Sequence, residues 1–201
     1  MPTLASPPAA LHVSGSLRRF SVDEYHQMIQ IGILGENDNV ELIEGYVVNK
    51  MSRNPPHDSA IRILSKYLER LLPPGWDFRV QSAITLSDSE PEPDLAVVRG
   101  DFRSYGTHHP HAADIGLVVE VAESGLAFDR ADKERIYARA GIETYWIVNL
   151  VHRQIEVYTQ PTGPSASPGY ARRDDVALGG SVSLVLDGVV IAMPAVRDLL
   201  P

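Results

Sequence analysis

From Gly116 to Ala122 the chain is apolar at every position except Glu120. So short and continuous a run predicts a central strand covered on both faces, not a half-exposed one. Such a strand needs helices packed on its flanks, which points to an α/β architecture. Glu120 is the exception to be explained, because a lone buried carboxylate costs on the order of several kcal/mol. Something in the fold must compensate for it.

The surrounding elements follow from periodicity and punctuation. Ser21 begins Ser-Val-Asp-Glu, a capping-box pattern that predicts a short helix to Gln30, with Gly32 as its stop. Val40 to Ile43 and Tyr46 to Asn49 read as a hairpin about Glu44-Gly45, which sets Glu44 at its tip or edge. Ile61, Leu64, Leu68, Leu71 and Leu72 recur at helical spacing, predicting an amphipathic helix from His57 to Leu72 that Pro73-Pro74-Gly75 ends. Strands are predicted at Asp77 to Gln81, Ala83 to Leu86 and Leu95 to Val98, with a loop over 99–113. After the Glu120 strand comes a helix from Arg130 to Ala140, with Gly141 as a left-handed cap. Thr144 to Val148 and Ile155 to Tyr158 read as further strands, with Tyr145 and Trp146 in the core. Gln160 to Gly169 reads as a mobile loop, and Val182 to Leu186 and Val189 to Ala192 close the domain. The organisation expected is a tail over 1–19 and a single domain over 20–201, a mixed central sheet flanked by helices.

Composition narrows the function. There is no cysteine, which removes disulfides, thiolate zinc sites and cysteine nucleophiles and fits a reducing, cytoplasmic setting. The first nineteen residues, rich in Pro, Ala and Ser, read as a flexible tail without an export leader. No run reaches the roughly 18 apolar residues of a membrane span, so no membrane partner is expected. The formal charge of −8 argues against a general nucleic-acid binder. Local phosphate contacts could come from Arg18, Arg19, Arg99, Arg103, Arg153, Arg172 or Arg173, although surface arginines are commonly just solvated.

Chemistry concentrates on two acids. Asp94 follows Pro93 at the head of an apolar run, so it and Glu120 are expected on neighbouring strands where they can share a cation. Oxygen ligands without Cys or a paired His motif favour Mg²⁺ or Mn²⁺ over Zn²⁺. Ala122 shares a strand face with Glu120 and leaves room there, into which Lys133, on the next helix and one turn from Tyr137, could reach. Lys133→Ala should then preserve folding while slowing reaction. His108, His109 and His111 match no ligand spacing and read as a solvated loop.

These residues carry a resemblance. The chain resembles the Uma-two family, also known as domain of unknown function 820, of the Pro-Asp...Asp/Glu-x-Lys nuclease superfamily. The matching segments are Val-Glu-Leu-Ile-Glu-Gly at 40–45, His57, Pro-Asp-Leu-Ala-Val-Val at 93–98 and Val-Val-Glu-Val-Ala-Glu-Ser at 118–124. Asp129-Arg130, Lys133, Tyr137 and Gly-Ile-Glu-Thr-Tyr-Trp-Ile-Val at 141–148 continue them, over roughly residues 20 to 195. The resemblance implies a restriction-endonuclease-like fold and phosphodiester hydrolysis, with DNA as the preferred substrate. It implies that Asp94, Glu120 and the Val121 carbonyl bind Mg²⁺ or Mn²⁺, and it suggests a homodimer. Ala122 stands where the superfamily carries its lysine, and Lys133 resembles a migrated one. Glu44 resembles an accessory acid, and His57 is placed to touch the site or its substrate. The rivals are a nuclease-fold protein that binds or assembles without efficient catalysis, and hydrolysis of another phosphate ester.

Overall fold

The computed structural model describes residues 16–35, 37–51 and 53–201, so most of the expected tail lies outside the described residues. Ser21 and Glu24 close the capping box in both directions, at 3.1 and 2.9 Å, and start α1 (Val22–Gln30). The hairpin β1 (Val40–Ile43) and β2 (Tyr46–Asn49) forms about Glu44 and Gly45, both at positive φ. Gly45 is required there, since a Cβ would stand 2.7 Å from Arg19 Cβ and 2.9 Å from the Phe20 carbonyl. Asn54 caps α2 (Pro55–Leu71), which has Pro in its first turn and buries Ala60, Ile61, Leu64 and Leu68 along one face.

Strands β3 (Trp76–Val80), β4 (Leu95–Arg99) and β5 (Ile115–Ala122) follow. A helical rod comes next, made of α3 (Leu126–Phe128), a π-helical segment over Asp129–Lys133 and α4 (Glu134–Arg139). It begins four residues earlier than the sequence suggests. At its end Ile142 N–H donates to the Tyr137 carbonyl and Gly141 N–H to that of Ala138, both at 3.1 Å, with Gly141 at φ +76°. That is a Schellman cap, the role expected of Gly141. Strands β6 (Thr144–Asn149), β7 (Gln154–Pro161) and β8 (Tyr170–Ala177) and a small hairpin of β9 (Leu184–Leu186) and β10 (Val189–Ala192) complete the fold.

Six strands make one mixed sheet in the order β3-β4-β5-β6-β7-β8, antiparallel except for the parallel pair β5 and β6. A parallel pair needs a crossover, and the rod from Leu126 to Arg139 supplies it. The alternation of β5 divides the core. Leu117, Val119 and Val121 pack with α2, β9 and the C-terminal Leu199 and Leu200, whereas Val118 and Ala122 pack with Ile136, Tyr137 and Tyr145. Tyr145 and Trp146 are both core, as expected. Glu120 belongs to the second face, beneath the rod. No helix among the described residues is long and apolar enough to cross a membrane.

Two expectations change, and one strand has no counterpart in the sequence reading. Ala83 to Leu86 is not a strand of the sheet: Ile84 N–H donates to the Pro91 carbonyl and Leu86 N–H to that of Ser89, and only Thr85 bridges to His111. Its apolar signal is that of a loop plugged into the core by Ile84 and Leu86. β8 escapes an apolar-run reading because Arg172 pairs with Asp174 and Arg173 with Asp175 along an exposed strand. The loop expected over 160–169 is shorter, closed by hydrogen bonds between Thr162 and Gly169 at 2.9 and 3.1 Å.

Candidate active site

Beneath the rod a pocket of about 80 Å³ opens to the surface, room for several waters. Four carboxylates on different stretches of chain meet there: Glu41 on β1, Asp94 before β4, Glu120 on β5 and Asp129 on the π segment, each no more than a tenth exposed. The antiparallel register of β4 on β5 brings two of them together. Asp94 N–H donates to Glu120 Oε2 at 3.3 Å, and Val121 N–H donates to Asp94 Oδ2 at 2.8 Å. His57 Nε2, in the first turn of α2, lies 3.0 Å from the same Asp94 oxygen, and the Gln81 amide donates to the other at 3.3 Å.

The cation comes from the rod. Lys133 is buried, with its ammonium 2.7 Å from Glu41 Oε2 and 3.3 Å from Glu120 Oε1, while the Tyr137 hydroxyl donates to Glu120 Oε1 at 2.7 Å. Asp129, Lys133 and Tyr137 are spaced by four. In a regular α-helix two such steps would drift by about 80° around the axis. The π segment, one residue more per hydrogen-bonded turn, turns the first step back and lets all three face inward. Two anchors hold it. The Tyr145 hydroxyl donates to the Asp129 carbonyl at 3.1 Å, and Arg130 grips the fully buried Glu156 with two hydrogen bonds of 3.0 and 2.5 Å.

So many acids in one pocket perturb each other. Burial first, and then the charges of Asp94 and Glu41, push Glu120 up to about 7 against the pull of Lys133. Burial and the charge of Glu120 push Asp129 up to about 8. Burial opposes the charge of Lys133, but Glu120 and Glu41 outweigh it and raise its pKa. For His57 too burial works against protonation, yet the hydrogen bond and charge of Asp94 raise its pKa overall. The site is electron-rich and short of positive charge: Glu41, Glu92, Asp94, Glu120, Glu123 and Asp129 line it against Lys50, Arg53 and Lys133.

The structure thus brings together Asp94, Glu120, Val121, His57 and Lys133. Glu44 is placed elsewhere: it sits at the hairpin turn, held by Arg135 and Arg139, whose hydrogen bonds to it lower its pKa. The hairpin acid that lines the pocket is Glu41. A carboxylate inside Val-Glu-Leu-Ile is the same signal that marks Glu120, so the sequence did carry it. None of the seven arginines considered for phosphate lines the pocket; Lys50 and Arg53 do, at its mouth. The histidine loop lies apart from it, with His108 and His111 exposed.

Among the described residues no group of three acid or histidine side chains is gathered tightly enough to hold an ion as it stands. The donors nevertheless suit a hard cation. Mg²⁺ is commonly bound through one or two carboxylates with waters completing its shell, and Asp94, Glu120 and the backbone of Val121 could provide that at a pocket with a surplus of carboxylates.

Comparison with known proteins identifies the family and the fold. The profile of the Uma2 family, described as "Putative restriction endonuclease", matches residues 22–194. No curated protein matches the chain. Among solved structures, one from Anabaena variabilis, described as a "putative nuclease belonging to DUF820", superposes with a TM-score of 0.66 at 14% identity. The likeness covers 90% of this chain and 97% of that one, which at such identity speaks for a shared fold.

Proposed function

The chain belongs to the Uma2 family, and from that premise we propose that it is a metal-dependent endonuclease that hydrolyses phosphodiester bonds, with DNA as substrate. The observation that carries this reading is the meeting of Asp94, Glu120 and a buried Lys133 in one pocket that opens to the surface. Asp94, Glu120 and the Val121 carbonyl would hold Mg²⁺ or Mn²⁺, with Glu41 and Asp129 close behind. A bound ion supplies Lewis-acid charge to the phosphate and acidity to a water.

The protein's own groups do the rest. His57 and Gln81 fix the rotation of the Asp94 carboxylate, and Tyr137 fixes that of Glu120. Lys133 keeps a full positive charge beside the reacting phosphate, where it stabilises negative charge developing on phosphoryl oxygen. At the mouth, Lys50 and Arg53 contact the flanking phosphates. Lys50 is held by Glu92 at 2.7 Å, so it is partly pre-positioned. The Ala122 departure is accommodated because the rod delivers an ammonium to the face of β5 on which a strand lysine would have emerged.

Incubation with plasmid, linear and single-stranded DNA and with RNA, in Mg²⁺ or Mn²⁺, tests the proposal. Cleavage that needs the metal and disappears in Glu120→Ala supports it; cleavage unchanged by that substitution, or none on any DNA, refutes it. One observation favours a second reading, a binding or assembly protein that cuts poorly: Lys133 is already tied to Glu41 more closely than to Glu120. Tight metal-dependent DNA binding without cleavage would select it.

A further inference from the structure

The sheet has two outer strands, β3 and β8. When two copies of an edge strand join about a two-fold axis they run antiparallel, and opposed residues point to the same face. The register must therefore centre on one residue facing its own copy. On β8 the charged centre is Arg173 or Asp174, and either sets like charges in opposition, which blunts that edge.

β3 reads differently. Its order is Trp76-Asp77-Phe78-Arg79-Val80. Centred at Phe78, Asp77 of each copy faces Arg79 of the other, and Trp76 faces Val80. Backbone polarity selects the same centre. The register on β4 and the Gln81 N–H bond to the Asp94 carbonyl at 3.1 Å turn Asp77, Arg79 and Gln81 inward, so the N–H and C=O groups of Trp76, Phe78 and Val80 point outward. Two of these are met locally: Trp76 N–H donates to the Pro73 carbonyl at 3.2 Å, and the Ser82 hydroxyl donates to the Val80 carbonyl at 2.9 Å. The Phe78 N–H and carbonyl, the Trp76 carbonyl and the Val80 N–H remain. Those are the groups that a second β3 in this register would pair.

The side chains agree. Arg79 lies 5.6 Å over the Tyr105 ring with its Nε buried and without a hydrogen-bond partner. Neither Arg79 nor Asp77 joins an ion pair among the described residues. Val80 is 38% exposed, an apolar residue on an open edge.

We propose that β3 is the seam of a homodimer: it pairs with β3 of a second copy of this chain across a two-fold axis at Phe78, joining two six-stranded sheets into one. The seam does not depend on the proposed nuclease activity. Sedimentation at micromolar concentration tests it through charge exchange. Asp77→Arg and Arg79→Asp, each alone, place like charges in opposition and should weaken self-association about tenfold or more. An equal mixture of the two restores opposite charges at all four positions and should recover the dimer. Val80→Pro removes an outward N–H that the monomer leaves unbonded, so it should stay folded by circular dichroism and fail to pair. A wild-type chain that remains monomeric, single variants that dimerise like wild type, or a mixture of folded variants that stays monomeric would each overturn the seam.

Discussion

Lys133 shows how a residue's burial changes what its removal means. On a solvated helix, Lys133→Ala would be mild; here it leaves Glu41 and Glu120 buried without their cation, which costs about 3–5 kcal/mol. Lys133→Met, which keeps the stem, is the better probe, and cleavage should fall about 100-fold while calorimetry still finds Mn²⁺ bound. Glu120→Gln should do the opposite to the metal-free protein. It removes a charge that burial penalises, so melting in chelator at about pH 8 should occur higher than in wild type even as metal affinity is lost. The pH dependence has a definite sign. Glu120 and Asp129 titrate higher folded than unfolded, so their contribution is present below the ordinary carboxylate range and is lost as pH rises through about 7 to 8. Metal-free protein should therefore lose several degrees of melting temperature between about pH 5 and pH 8, and Mn²⁺ should cancel the loss; a flat profile in chelator would contradict the charge surplus.

At the scale of elements, what is legible in the sequence is what burial periodicity writes. α2 and β5 declare themselves by apolar spacing, and the hairpin by its Glu-Gly turn. β8 does not, because an edge strand satisfied by Arg-Asp pairs buries little. The π segment is equally silent: Asp-Arg-Ala-Asp-Lys has the composition of any helix surface, and only its tertiary anchors select the wider turn. For the same reason Asp129 was visible as part of a family pattern but not as a lining acid. Those anchors make a prediction. Glu156→Gln should cost about 3 kcal/mol, the low end for breaking a buried pair because Arg130 is partly solvated. If the segment positions Lys133, cleavage should fall further than stability explains. Retention of full activity in the folded variant would reduce Arg130 and Glu156 to ordinary support.

Across the whole molecule the charge of −8 and the few cations at the pocket set the terms for a polyanion. DNA binding by Lys133→Met, followed by anisotropy, should be weak in chelator and strengthen with Mn²⁺. Its salt dependence should be shallow, with a slope of about −2 if only Lys50 and Arg53 neutralise phosphates. Every residue that lines the pocket precedes Glu134, yet β6, β7 and β8 all follow it. During synthesis, then, a ribosome will have emitted all the reactive groups while the strands that flank β5 on one side are still untranslated. The acids and the lysine are in hand early and have no frame to converge on. A chain cut short after Gly141 should accordingly be inert and protease-sensitive, and the final third, which lends the pocket no atom, decides when it comes into being.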